Sequence, residues 1–203
     1  LYEHETITGE EFMKILNESA MNIPDGIGII YGSKFTNNPI KSRVAGYDCV
    51  QGVFELIKDT DKTVYFFGGA PEIAERAKEA MEKKHYGLKI VGVADGYFDA
   101  EKEQMIIADI NEKKPDLLLV GIGFPKQEKW IYNNIKNLNV KVAIGVGGSF
   151  DVMSGNVKRA PKIFIKLGLE WFYRLITQPT RIGRMMVLPL FMLVVIKNKI
   201  LGK

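Results

Sequence analysis

Three short glycine turns, GGAPE (68–72), GIGFPKQE (121–128) and GVGGSFD (145–151), each follow an apolar run and lead into a turn or a helical pattern. Glycine lets a ligand approach the backbone, and a helix N-terminus presents unpaired N–H groups that favour phosphate. Gly68, Gly69, Gly123, Gly147 and Gly148 are therefore candidates for holding a nucleotide or another phosphate ligand. For any one turn a structural explanation leads, because tight strand-to-helix turns need glycine anyway. Three of them at one sheet edge shift the balance toward a ligand. None matches a Walker loop or the full dinucleotide fingerprint, which leaves an oxidoreductase a distant reading.

Polar groups stand beside these turns. Gln127 falls in the first turn of a helix, next to Glu128, which also suits the helix macrodipole, and Lys126, which could meet a phosphate or simply be solvated. Asp151 follows GGSF and reads either as a helix cap or as a site carboxylate. Asp25, in NIPDG, is the first acidic candidate, although Pro-Asp-Gly by itself is a turn whose aspartate could cap the next helix. Arg43, in a loop flanked by glycine and proline, could bind an anion or be an ordinary surface charge.

Other chemistry is disfavoured. His4 and His85 are the only histidines and neither sits in a nucleophile pattern, so a Ser-His-Asp or Cys-His site is not expected. Cys49 is the only cysteine, which excludes an intrachain disulfide, and zinc-ligand spacing is absent. The expectation is a site that works without a metal or other cofactor, lacking the Asp-x-Asp clamp that commonly holds a metal-bound nucleotide diphosphate.

The elements that must position these residues alternate. TVYFF reads as a short buried strand and LKIVGVA, DLLLVGIG and VKVAIGVGG as the strands that follow it, separated by a helix opening at Pro71, by the helical AEKEQMIIADINEK and by PKQEKWIYNNIKNL. Strands and helices alternating at this spacing predict an α/β fold, a Rossmann-like and mostly parallel sheet with helices on both faces. The glycine turns then fall at the carboxyl ends of the strands, where open parallel sheets bind ligands. Upstream, Thr8 with Glu11 forms a capping box for a first helix, and GIIYGSKF predicts another.

The last quarter of the chain differs. Residues 1–154 carry 18 basic and 23 acidic residues, whereas residues 155–203 carry 10 basic residues and one acidic residue, Glu170. Such asymmetry points to an anionic partner for the basic end. PKIFIKLGLEWFYRLI predicts one helix, with Ile163, Phe164, Leu167, Trp171 and Leu175 on its apolar face and Lys162, Lys166, Glu170 and Arg174 on its polar face. Beyond Pro179, twelve uncharged residues, Met185 to Ile196, lie between Arg184 and Lys197. As a helix they reach ~18 Å, short of the ~30 Å hydrocarbon core, so they cannot span it. Apolar residues flanked by cations suit a segment lying on an anionic membrane surface; burial in the protein's own core or self-association into a homo-oligomer would use the same pattern. Nucleic acid is not expected, because no aromatic-and-basic surface motif accompanies the charge. The reading is thus a catalytic α/β domain over 1–158 and a helical, membrane-associating appendage over 159–203.

NIPDGIGII, RVAGYD, GGAPEIAE, DGYF, GFPKQEKW, GVGGSFDVMSGNVKRAP and LEWFYRLITQPTRIGR, in that order, resemble the WecG/TagA/CpsF glycosyltransferase family essentially end to end. The resemblance implies an inverting enzyme that moves an N-acetylmannosamine-type sugar from a UDP-sugar to polyprenyl-diphosphate-linked GlcNAc. Its place would be the cytoplasmic face of a bacterial plasma membrane, as a peripheral protein, and the favoured branch makes the β-1,4 linkage unit of wall teichoic acid. It further implies that Asp25 is the general base, that Arg43, Gln127 and Asp151 line the site, and that Arg174, Arg181 and Arg184 meet the diphosphate. Members of the family begin about one βαβ unit earlier, with a Thr-Pro-Asn-type segment, so the catalytic domain is expected to lack that unit here; the chain opens on Leu1 with an acidic, polar stretch and shows no signal peptide. The alternatives are another donor such as UDP-ManNAcA, or a non-catalytic module that binds UDP or lipid.

Overall fold

The computed structural model describes residues 7–36, 39–177, 183 and 187–200, without the side chains of 174, 188 and 200. The chain divides into two compact units, one of Leu1–Asn22 with Cys49–Lys158, the other of Ile23–Asp48 with Arg159–Lys203.

The first unit is built on four parallel strands, β1 (Thr63–Gly68), β2 (Lys89–Ala94), β3 (Leu117–Gly121) and β4 (Val142–Gly145), in the order β2-β1-β3-β4. The Rossmann-like α/β fold is therefore as the sequence predicts. Near-continuous apolar runs suit strands covered on both faces. Tyr65, Phe67, Leu118 and Val120 turn to one face, where they meet Ile106 and Ile110 of α5 (Ala100–Lys113) and Trp130 of α6 (Lys126–Asn134). Alternate residues turn the other way. There Phe66 stacks on Phe54 of α3 (Gly46–Ile57) and packs 4.9 Å from Phe150 of α7 (Ser149–Met153), beside α4 (Ile73–Lys84), which buries Ala74, Ala77 and Met81. Each large apolar side chain so buried contributes about 1.5–3 kcal/mol. At the amino ends of the strands Asp116 accepts hydrogen bonds from Thr63 N, Lys62 Nζ and Lys141 Nζ, which register β1 against β3 and the approach to β4.

The expected capping box holds: Glu11 N donates to Thr8 Oγ1 and Thr8 N to Glu11 Oε2, starting α1 (Gly9–Glu18). The start of α4 departs from expectation. The helix opens at Ile73 rather than Pro71, because Glu72 takes a left-handed conformation, φ 68°, and delays it by two residues.

In the second unit, α2 (Ile27–Ser33) buries Gly28, Ile30 and Gly32. The absence of a side chain at Gly32 admits α10 (Val187–Ile200): a Cβ there would lie 2.9 Å from the Phe191 ring. The single helix expected over PKIFIKLGLEWFYRLI is instead two, α8 (Lys162–Lys166) and α9 (Glu170–Thr177). Gly168, φ 70°, ends α8 in a Schellman motif, with Leu169 N donating to Phe164 O and Gly168 N to Ile165 O. The break rotates the two halves of the predicted stripe out of phase. Ile163 and Leu167 are exposed, and Glu170, assigned by periodicity to a solvated face, is buried.

Candidate active site

Two groups of side chains hold the polar residues that the sequence singles out, one in each unit. In the first unit the strand order creates the ligand edge. From β1 the chain turns into α4, on the Phe66 face; from β3 it turns into α6, on the opposite face. The turns after β1 and β3 therefore diverge between two hydrogen-bonded neighbours, the switch point at which open α/β sheets form a crevice.

The glycines at this edge are of two kinds. Gly68 and Gly121 are partners across β1 and β3, and a Cβ on Gly68 would lie 2.4 Å from the Gly121 carbonyl; at Gly69 it would meet Ile73 and Phe150. Packing of the chain against itself accounts for these positions. Gly123 (φ 87°) and Gly147 (φ 52°) require left-handed backbone and have open space where a side chain would stand, and Gly148 has only Asp151 Oδ2 within reach.

Gln127 ties two of the turns together. It is 6% exposed in the first turn of α6, its Oε1 accepts from Gly147 N at 2.9 Å, and its Nε2 donates to Glu128 Oε1 at 2.8 Å. A side chain at Gly145 would collide with it. The other carboxylate oxygen, Glu128 Oε2, is buried with no hydrogen-bond partner among the described residues. A buried carboxylate oxygen without a donor is costly and asks for an explanation, so Glu128 joins the candidate site. The local sequence reads it only as a first-turn helix residue, and nothing nearby in the chain distinguishes the two roles. Asp151 is the third residue of α7, not its cap; its Oδ1 accepts from Asn156 Nδ2 at 3.1 Å.

The second unit holds Asp25 and Arg43 together. Asp25 does not cap α2, whose N-cap is Gly26. Its Oδ1 accepts from Arg43 Nη2 at 2.6 Å and Nε at 3.0 Å, and its Oδ2 accepts from Gly46 N at 3.0 Å. Arg43 Nε also reaches the Asp25 carbonyl, and Nη1 donates to Glu170 Oε2 at 3.0 Å. Burial opposes the Arg43 charge, but the bonds and charges of Asp25 and Glu170 outweigh it and raise its pKa. Arg43 is thus a charge shared by two carboxylates, where its local sequence leaves open an anion-binding residue or an ordinary surface charge. Beside it, Arg159 makes a bidentate pair with Asp48, 2.6 Å on both arms, and lies over the Tyr47 ring. The Asp48 bond raises the Arg159 pKa against the cost of burial, and burial raises that of Tyr47.

The Asp25 carboxylate keeps half its surface exposed although three N–H groups orient it. A fixed, accessible carboxylate can take a proton from a bound hydroxyl. Arg181 and Arg184 lie outside the described residues, and so does the side chain of Arg174. One Asp-x-Asp pair does occur, contrary to expectation: Asp59-Thr60-Asp61. It lies in the turn before β1, at the opposite end of the strand from the glycine edge, with Asp61 paired to Lys89. Among the described residues no cluster of three His, Cys, Asp or Glu could hold a metal ion. His85 is buried between Glu55 and Gln51, with a ring contact to Phe54, a core arrangement with no nucleophile. Among the described residues no helix is long and apolar enough to cross a membrane.

The chain is 37% identical over 193 residues to the N-acetylglucosaminyldiphosphoundecaprenol N-acetyl-beta-D-mannosaminyltransferase of Bacillus subtilis (strain 168), covering 95% of this chain and 75% of that protein. It is 38% identical over 196 residues to the protein of the same name from Bacillus spizizenii, covering 96% and 75%. The one from Staphylococcus aureus (strain MRSA252) is 33% identical over 192 residues, covering 95% and 75%. A family profile matches residues 3–203, and the chain belongs to the glycosyl transferase WecG/TagA/CpsF family.

Proposed function

We propose that this glycosyltransferase moves N-acetylmannosamine from UDP-ManNAc to GlcNAc carried on undecaprenyl diphosphate, with inversion, to form the β-1,4 linkage unit of wall teichoic acid. The observation that carries the reading is the Asp25 carboxylate, half-exposed yet oriented by Arg43 and Gly46 N, in a chain whose relatives are named for this transfer. Asp25 takes the proton of the acceptor hydroxyl as its oxygen bonds to the anomeric carbon. The bond from that carbon to the diphosphate oxygen breaks, and UDP leaves with the electron pair from the opposite face. Gly123, Gly147, Gly148, Gln127 and Asp151 serve the donor, with the N-terminus of α6 favouring its diphosphate. Arg174, Arg181 and Arg184 neutralise the leaving charge in place of a metal, since guanidinium binds a diphosphate bidentately.

The acceptor's lipid gives α10 its role. Val187, Leu190, Leu193 and Val194 are all more than half exposed, and Lys197 and Lys199 follow in the last turn. Such a helix suits shallow insertion into an anionic surface, which would hold the enzyme as a peripheral protein on the cytoplasmic face of the plasma membrane.

The test is transfer from UDP-ManNAc to a GlcNAc-diphospholipid by wild type and Asp25→Asn. The expected result is turnover in wild type and a loss of at least about a hundredfold in Asp25→Asn with unchanged melting. UDP binding with no transfer by wild type would point to a binding module instead.

A further inference from the structure

Glu170 is the only acidic residue in the last 49 residues, and it is 6% exposed. Burying a carboxylate is expensive unless it is paired, so its placement asks for a reason. Its Oε2 accepts from Arg43 Nη1 at 3.0 Å, while the opposite edge of the same guanidinium, Nε and Nη2, holds Asp25 Oδ1. The planar guanidinium is thus gripped from both sides, which fixes the plane that aims Asp25. A second ion pair, Arg159 with Asp48, fastens the other end of the 159–170 run just beyond Gly46, whose N–H holds Asp25 Oδ2.

We propose that Glu170 is a positioning residue for the catalytic base, acting through Arg43 to orient Asp25 and to share the charge that Asp25 would otherwise face alone. The inference rests on the assignment of Asp25 as base. An arginine facing one carboxylate favours its ionised form and so makes it a weaker proton acceptor. A second carboxylate on the same arginine divides that attraction, because Arg43 donates to Asp25 and to Glu170 at once. The same contact makes the competence of Asp25 depend on α9 being folded against Arg43, which couples the basic C-terminal segment to chemistry through a part-buried bond.

The experiment compares Glu170→Gln, Glu170→Asp, Asp25→Asn and the Glu170→Gln/Asp25→Asn double variant, each in the full chain, by transfer kinetics and thermal melting. Glutamine keeps the size and an acceptor oxygen but removes the charge. It should lower kcat about tenfold with the KM for the UDP-sugar within about twofold, and aspartate should recover part of kcat. In the Asp25→Asn background Glu170→Gln should cost nothing further, because its effect passes through Asp25. An equal loss in both backgrounds, or a loss that tracks melting alone, would reduce Glu170 to a structural residue and overturn the inference. If Glu170→Gln fails to fold, Glu170→Asp decides: wild-type kcat there overturns it. Loss in Asp25→Asn with wild-type turnover in Glu170→Gln overturns this inference alone, whereas wild-type turnover in Asp25→Asn removes the base assignment and this inference with it.

Discussion

Replacing Gln127 by glutamate changes one N–H donor into an oxygen, yet its consequence should exceed that of deleting the side chain's polarity. In the native protein Gln127 Nε2 lies 2.8 Å from Glu128 Oε1. Two ionised carboxylates at about that distance, in an effective dielectric of ~20, would repel by roughly 6 kcal/mol. Protonating the introduced glutamate at pH 7, from an ordinary value near ~4.3, costs about 4 kcal/mol instead, and ~1.4 kcal/mol less for each unit of acidification. The cheaper route wins, since a protonated carboxyl can also donate to its neighbour. Gln127→Glu should therefore be destabilised by about 4 kcal/mol at pH 7, a large share of a domain's usual ~5–15 kcal/mol. The gap should narrow by ~1.4 kcal/mol per unit toward pH 5. Gln127→Leu strands Gly147 N–H and removes the donor to Glu128 Oε1 instead, which costs ~2–4 kcal/mol. Urea unfolding of the three proteins between pH 5 and 8, followed by circular dichroism, separates these effects. A Gln127→Glu protein as stable as wild type at pH 7, or a gap that does not close on acidification, would refute the idea that this pair holds the turn.

Asp116, bonded by Lys141, Thr63 N and Lys62, has its pKa held well below the usual carboxylate range, with the Lys141 bond the largest cause. A carboxylate depressed by folding stabilises the fold above its unfolded value of ~3.9 and loses that contribution as pH falls below it. Wild type should thus lose more of its melting temperature between pH 5 and 3 than Asp116→Asn does, and parallel losses would contradict this. At Gly32, alanine should be nearly neutral, because the Phe191 ring tip can move and a helical glycine-to-alanine change gains up to about 1 kcal/mol. Leucine there should separate α10 from α2, raise amide exchange over 187–200 and alter binding to anionic vesicles; unchanged exchange would show that α10 does not depend on this groove.

The alternation of apolar runs and helices is legible because side-chain burial in strands and helices follows local periods, and it suffices for a parallel sheet with its glycine turns at one edge. The capping box at Thr8 is equally local. The family resemblance, carried by ordered motifs, supplies Asp25 and Arg43 as candidate site residues without any knowledge of the contact between them. What the sequence cannot supply are pairings between distant positions. Arg43 and Glu170 stand 127 residues apart, and periodicity alone assigns Glu170 to water. The break that turns it inward has a local signal, Gly168 followed by Leu169 after a helical run, but an apolar stripe continuing on both sides masks it. Gln127 bridging to Gly147, and the Glu128 oxygen left without a partner among the described residues, likewise exist only once two turns are brought together. Local propensity and pattern thus determined which elements form, because they depend on neighbours in the chain. Which charges share a partner or a buried place was decided by tertiary structure, because electrostatic energy depends on distance in space and on the water that folding removes.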